Sequence, residues 1–560
     1  MDNIGKDKSI MKKYLTKFNF LFLIQILVII LAIFGLLPRD DMLVFTSIII
    51  FYLIFSPPEE GLIFIIVSIP FFVALPVFDN FDSMANWRII LIVLFLVLFF
   101  KKEISLSLIK NTSGRFRLKE NLRYYPMEYY ALAFVCIGFL SLLVAQDFVV
   151  GLKKLIFLIN MVLLFVIIRN LAKDETRILK IIKAAGVASI SMIFIGFLQL
   201  CSVLFVSLYT FWQFWAKKVI LIFYGKDLSQ LLSEKNAWFS YYANNPPTLR
   251  LFSLFPDSHS FAMFCILSIP FFLCLTEYYK HNIFRKRFCW IMISLVTLGV
   301  VLSGSRGAWL AVLPTISLVL FLNLVNSLSP KRDIFSRLIY QFKKRIIFVR
   351  TFFGQQQDLF TLTKKITVAL SLFFAMFILS SFYPLLFYKA QSIITGEEIY
   401  GGSLRFFERA KSISDTQELS NKSRLRIWQL TINSIKEHPF LGVGIGNFPV
   451  VIKEDTSTVK KGASAHNLYL DIFAEIGIFG LVFVLLIAFE ILKTSWLVFK
   501  RASSSYQKIF GLSFGVYFIW ILCYSLVDVV LFNDKVFLFF MVELGILYSI
   551  YPLVSKNHKD

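Results

Sequence analysis

The chain has 560 residues, of which 58% are hydrophobic and 17% aromatic, and its formal net charge is +23; the mean hydropathy is +0.73. A soluble core has no room for that much apolar side chain, so the composition excludes an ordinary soluble domain. The lysines and arginines are interleaved with the ends of apolar runs, as membrane orientation demands, which sets nucleic acid aside as a partner.

Crossing the hydrocarbon of a bilayer takes roughly 20 residues of helix, and helices are the expected spanning element. The first run, 18–37, follows Lys6, Lys8, Lys12, Lys13 and Lys17. It is long for a signal peptide and lacks a small-residue cleavage site, so it reads as an uncleaved anchor. Further spans are expected at 42–56, 61–77, 88–100, 127–146, 150–168, 184–208, 259–278, 288–304, 308–326, 366–388, 474–496, 509–531 and 536–553. Pro57, Pro58, Pro70 and Pro76 mark hairpin turns and kinked spans in segment 42–77. The fold class is therefore an all-α polytopic integral membrane protein with about 12–14 transmembrane helices and a large outer loop carrying short helices.

The connections 101–123, 169–183, 280–287, 331–365 and 500–508 are all basic. The positive-inside rule places them, with both termini, in the cytoplasm. Two long connections, about 209–258 and 389–472, then face the other side, where function is expected. The stretch 336–365 reads as an anchoring loop, with a helix lying on anionic membrane lipid as the alternative. All six cysteines fall in apolar segments, so neither a disulfide framework nor a CxxC metal site is indicated. No repeat is evident. The chain divides into an N-terminal transmembrane region, 1–240, a second region, 241–553, that includes the outer loop 389–472, and a cytoplasmic tail, 554–560.

Arg306, in Ser303-Gly304-Ser305-Arg306-Gly307-Ala308-Trp309, lies at the expected outer end of a helical hairpin. An arginine there costs a few kcal/mol unless paired or wetted. It reads either as a snorkelling interfacial residue or as an anion clamp. In the second long loop, Leu425, Trp428, Ile432 and Ile435 share one helical face, Ser423 suits an N-cap and Pro439 ends the helix. Arg424 then stands at a helix N-terminus, where free N–H groups and an arginine fork suit phosphate; the alternative is a solvated basic residue. The run Gly442-Val443-Gly444-Ile445-Gly446 follows a helix and a proline rather than a strand, so it reads as a tight turn, not a nucleotide loop. His466, in Ala465-His466-Asn467, sits at a helix start just outside the bilayer and has a ring suited to proton removal near neutral pH. Asp471 and Glu475, one turn apart, are candidates to orient it or are interface caps. His259, after Arg250, ends the other outer loop and carries a weaker signal.

Taken together and in order, 303–309, Arg424 to Trp428, His438-Pro439 with the glycine turn, and Ala465-His466-Asn467 through Gly480 resemble the O-antigen ligase and polymerase superfamily of bacterial membrane glycosyltransferases, over roughly 240–550. The resemblance implies transfer of a glycan from undecaprenyl diphosphate to a periplasmic acceptor at the inner membrane, the lipid A core in the ligase branch. It places the essential histidine on His466 and diphosphate-binding arginines on Arg306 and Arg424, with Arg426 and Arg250 as further substrate-binding candidates and Asn467, Asp471 and Glu475 in support. Neither a nucleotide nor a metal is expected. A repeat-unit polymerase and a protein O-oligosaccharyltransferase share this donor and differ in acceptor, while a transporter or flippase would concentrate its charges near the bilayer midplane in broken helices.

Overall fold

A computed structural model describes the chain except residues 1, 79–81, 83, 104–125, 243–244, 328–356, 383–388, 391, 395, 397–418, 453–463 and 557–560. Most of the basic stretch 336–365, much of the outer loop 389–472 and the end of the tail lie outside the described residues.

The helices, in chain order, are α1 (Asp2–Ile33), α2 (Asp41–Phe55), α3 (Pro58–Ser68), α4 (Trp87–Phe100), α5 (Pro126–Ser141), α6 (Phe148–Leu171) and α7 (Glu175–Ser202). Three short ones follow, α8 (Leu208–Phe214), α9 (Ile220–Tyr224) and α10 (Lys226–Glu234), then α11 (Ser258–Tyr278), α12 (Ile283–Leu302), α13 (Arg306–Ser327) and α14 (Gln357–Ser381). The set closes with α15 (Leu419–Glu437), α16 (Phe448–Ile452), α17 (Leu468–Arg501), α18 (Ser505–Tyr524) and α19 (Asp534–Lys556). Two strand pairs, β1 (Ala74–Leu75) with β2 (Met84–Ala85) and β3 (Phe239–Tyr242) with β4 (Asn245–Leu249), are antiparallel clasps.

The chain is thus an all-α polytopic membrane protein. Among the described residues nine helices are long and apolar enough to span a bilayer, and α2, α4 and Lys17–Ile33 of α1 are shorter apolar helices. Each expected span falls on a helix. The run 61–77 departs from a simple crossing: the α-helix stops at Ser68, a 3₁₀ turn takes Ile69–Phe71, and β1 completes the passage, because Pro70 removes a helical donor. Asp147, Asp174, Asp257 and Asn282 cap α6, α7, α11 and α12 by accepting a backbone N–H from the first turn of each.

Burial ranks the helices. In α11 and α19 the apolar window is 94% and 89% buried, against 28% for α5 and 33% for α14, so α11 and α19 form the centre and the last two face lipid. α11 packs on α12 and α18, and α19 on α6.

Inter-loop contacts sort the connections to two ends. At one end, Arg39 pairs with Asp82, which also accepts the Lys226 N–H, and Trp87 donates to Asp534. There too Asp147 N–H bonds Asn447, Leu251 N–H bonds the Leu302 carbonyl and Leu468 N–H bonds the Ser525 carbonyl. At the opposite end, Arg177 pairs with Glu59, Lys365 with Glu277, and Tyr506 and Gln507 reach Glu175. Both long connections therefore share the first end.

Candidate active site

His466 is held by backbone contacts on both sides. Ala465 gives its N–H to Asp471 Oδ1 at 2.7 Å, and its carbonyl accepts the Trp428 indole N–H at 2.8 Å. Asn467 caps α17 through the Tyr469 and Leu470 N–H groups at 3.0 and 3.1 Å. Between these anchors His466 takes φ +48, a left-handed conformation that costs a non-glycine residue about 1 kcal/mol or more. Such strain persists only where the surroundings over-determine it.

Burial first, and the Arg424 charge second, hold the His466 imidazole down to about 4. The ring is therefore neutral at physiological pH. Its Nδ1 is buried and has no hydrogen-bond partner among the described residues. Asp471 and Glu475 do not orient it. Asp471 is taken up by the Ala465 N–H, and Glu475 pairs with Lys154 of α6 at 2.6 Å. The two carboxylates position the backbone around the histidine and lock α17 to α6; the expectation that they bear on the ring itself is corrected.

The 303–306 turn closes against the end of α18. Ser305 Oγ lies 2.6 Å from the Tyr524 hydroxyl. Gly304 has φ +64, and a Cβ on Gly307 would stand 2.7 Å from Val527 Cγ2, so both glycines are required for this close approach. Arg306 opens α13 directly after this contact. Arg250 donates Nε–H to Ser240 Oγ at 3.0 Å, and Leu251, through its bond to Leu302, joins this strand to the same turn. Ser253, at φ +50, is gripped by Gln199 of α7 through both its N–H and its carbonyl.

α15 begins at Leu419, before Ser423, so Ser423 is not its cap and Arg424 lies in the second turn, not at the N-terminus. The buried side also differs from the expected face: Ile427 and Thr431 are buried, whereas Leu425 and Ile432 are 51% and 44% exposed. The buried stripe is displaced by one position, while Trp428 stays inward and reaches Ala465. Arg424 is half-buried on the inward side and Arg426 is exposed. The charge of Arg424 acts on both His466 and Asp528, so sequence-distant groups meet here.

The glycine run is the expected tight turn, with φ of +65, +95 and +77 at Gly442, Gly444 and Gly446. It fills a break in α17, where Gly477 has φ +74 and ψ −169. Val443 N–H supplies the Ala474 carbonyl at 2.8 Å, and the Pro439 carbonyl takes the Ile478 N–H at 2.9 Å. The inserted loop thus satisfies the groups that the break sets free.

His259, Asp528, Tyr524 and Asp257 form the part of the site that the sequence motifs underweight. His259 Nδ1 lies 3.4 Å from Asp528 Oδ2. Burial, then the neighbouring Asp257, raises the Asp528 carboxyl to about 7, against an opposing pull from Arg424. Burial likewise raises Asp257. The signal available in the sequence was Asp528, an acid near the end of the apolar run 509–531.

Residues 290–485 match the O-antigen ligase family model, a segment that contains Arg306, Arg424 and His466 but not His259 or Asp528. A Rickettsia conorii (strain ATCC VR-613 / Malish 7) protein, provisionally named a polysaccharide ligase, is 33% identical over 137 residues, or 21% of this chain and 32% of that protein. The chain therefore spans about a third of the length of this curated relative. In this all-α membrane chain, residues 290–485 are thus the segment similar to an O-antigen ligase.

Proposed function

We propose that this chain transfers a glycan from undecaprenyl diphosphate to an acceptor at the periplasmic face of the inner membrane, and that the acceptor is the lipid A core. The observation that carries this reading is His466, neutral and strained beside Arg424 within the segment similar to an O-antigen ligase.

In this reading the prenyl chain stays in the bilayer and its diphosphate meets Arg306 and Arg424. These two arginines stabilise the charge that grows on the leaving diphosphate. His466 takes the proton of the acceptor hydroxyl while the hydroxyl oxygen attacks the anomeric carbon from the side opposite the diphosphate, with inversion. A conjugate acid near 4 makes an isolated base weak. Diphosphate bound to Arg424 cancels one of the two causes of that depression, so donor binding strengthens the base that uses it.

The test is transfer of labelled glycan from the lipid diphosphate by purified protein in vesicles, with lipid A core, a second lipid-linked repeat and a periplasmic protein offered in turn. Product only on lipid A core supports ligation. Product only on the second repeat makes the chain a polymerase, and product only on protein a protein oligosaccharyltransferase.

The broken α17 and the Lys154–Glu475 pair beside it favour a second reading, transport of the intact lipid-linked glycan. Against it, the break is filled by the chain's own 439–447 loop. A Cβ on Gly477 would stand 1.9 Å from the Phe440 carbonyl oxygen, leaving no passage there. Movement of the lipid across vesicles without release of undecaprenyl diphosphate would support transport.

A further inference from the structure

His259 stands in the first turn of α11, outside the segment similar to an O-antigen ligase. Its Nδ1 is 3.0 Å from Ser305 Oγ, 3.3 Å from the Tyr524 hydroxyl and 3.4 Å from Asp528 Oδ2. Ser305 is the residue before Arg306, and its hydroxyl is shared with Tyr524. The ring thus joins three separate stretches of chain at the turn from which Arg306 emerges.

Titratable and polar groups face His259 from three elements. Asp257, on its own side, accepts the Ser260 N–H at 2.7 Å and the Ser260 hydroxyl at 2.8 Å. Tyr524 and Asp528 face it from α18 and the segment after it, Ser305 faces it from the 303–305 turn, and Arg306 opens the adjoining helix. Arg424 acts on it through Asp528.

A neutral imidazole carries one N–H. With a carboxylate and two hydroxyl oxygens on the Nδ1 side, that nitrogen holds the proton and Nε2 holds the lone pair. Protonation at Nε2 then produces an imidazolium whose charge favours the ionised form of Asp528, against the burial and the Asp257 charge that raise that carboxyl, so the two groups titrate as a pair. The positive charge arises against Ser305, the residue before Arg306.

We propose that His259, held by Asp528 and the Ser305–Tyr524 hydroxyl pair, is a titratable positioning residue that sets the Arg306 turn and adds positive charge for the donor diphosphate. It acts on donor binding, not on removal of the acceptor proton. This inference rests on the proposed transfer from a lipid diphosphate.

The experiment is the donor KM and kcat of the full-length protein in vesicles, from pH 5 to 9, with undecaprenyl diphosphate-linked glycan as probe. In the unaltered protein, KM should rise with pH as the imidazolium is lost. His259→Asn should raise KM about tenfold at low pH and flatten its pH dependence, with kcat within about threefold, the scale of one charge-assisted hydrogen bond. Asp528→Asn should move the rise to lower pH, because the imidazolium loses its anion. A KM of His259→Asn that keeps the original pH dependence, or a loss confined to kcat, overturns the proposal. His466→Ala, measured alongside, keeps the two readings apart: full activity there overturns the base assignment and leaves the His259 result standing, while a dead His466→Ala with an unaltered His259→Asn overturns only this inference.

Discussion

The indole N–H of Trp428 reaches the Ala465 carbonyl at 2.8 Å, across 37 residues of chain, and so fastens α15 onto the loop that holds His466. The same helix carries Arg424 on its inward side. One hydrogen bond therefore sets the arginine and the histidine relative to each other. Trp428→Phe keeps the ring and removes the donor. A lost bond of this kind costs about 1–3 kcal/mol when it leaves a buried carbonyl unpaired. Glycan transfer should fall about tenfold, a loss equivalent to ~1.4 kcal/mol, with unchanged helical content by circular dichroism; undiminished transfer would show that α15 is held by other contacts.

His466 sets the acid side of the pH dependence. The ring is depressed to about 4, so the free protein keeps its base unprotonated down to that pH, and kcat/KM should show no acid-side fall between pH 8 and about 5. Once diphosphate binds, the Arg424 contribution is cancelled and the ring titrates higher, so kcat should begin to fall at a higher pH than kcat/KM. Arg424→Gln should raise the free-protein limb, though burial, the larger cause, keeps it under the ordinary histidine value. Coincident limbs in kcat and kcat/KM would remove the donor-assisted base. His466→Ala should cost about 10² to 10⁴ in rate.

How much of this was legible in the sequence depends on the length scale of the cause. Runs of apolar residues report a solvent, so every expected span falls on a helix; glycines at 442, 444 and 446 report backbone angles, and the turn is where they place it. Side-chain partnerships are not local in this way. Asp471 and Glu475 share a helix with His466 in the sequence, yet their partners are a backbone N–H and a lysine 321 residues away. His259 looked weak because Ser305, Tyr524 and Asp528 lie 46, 265 and more residues from it. The start of α15 was misjudged because Ser423 is a good cap by type, but the helix already runs from Leu419.

Arg306 separates a charge from a fork. A guanidinium offers parallel donors to two phosphate oxygens, and an ammonium offers a point charge on a flexible stem. If Arg306 grips the diphosphate bidentately, Arg306→Lys should lose nearly as much kcat/KM as Arg306→Ala, about 10²-fold on the scale of a lost transition-state donor. Near-normal rates in the lysine variant would reduce its role to simple charge.

Gly477 holds the break in α17. Its φ of +74 suits glycine, and an added Cβ would overlap the Phe440 carbonyl oxygen. Gly477→Ala combines backbone strain of about 1–3 kcal/mol with overpacking of about 1–3 kcal/mol. The melting temperature in detergent should drop and the 439–447 loop should become protease-sensitive. An unshifted melting curve would mean that α17 can run straight through this point.

The pair between Lys154 and Glu475 lies inside the bundle, with the glutamate side chain 4% exposed. Separating two charges from water costs several kcal/mol each, and their mutual attraction only repays that sum when both are present. Glu475→Gln should therefore destabilise the protein by stranding the lysine, whose 29% exposure keeps the loss below the ~3–5 kcal/mol of a fully buried pair. Lys154→Met combined with Glu475→Gln should recover most of that loss, since no unpaired charge remains. If the pair serves only to lock α6 to the outer half of α17, the double variant also recovers transfer activity. If instead the charges take part in the reaction, stability returns and activity does not. Thermal unfolding and glycan transfer measured on the unaltered protein and these two variants decide between these outcomes.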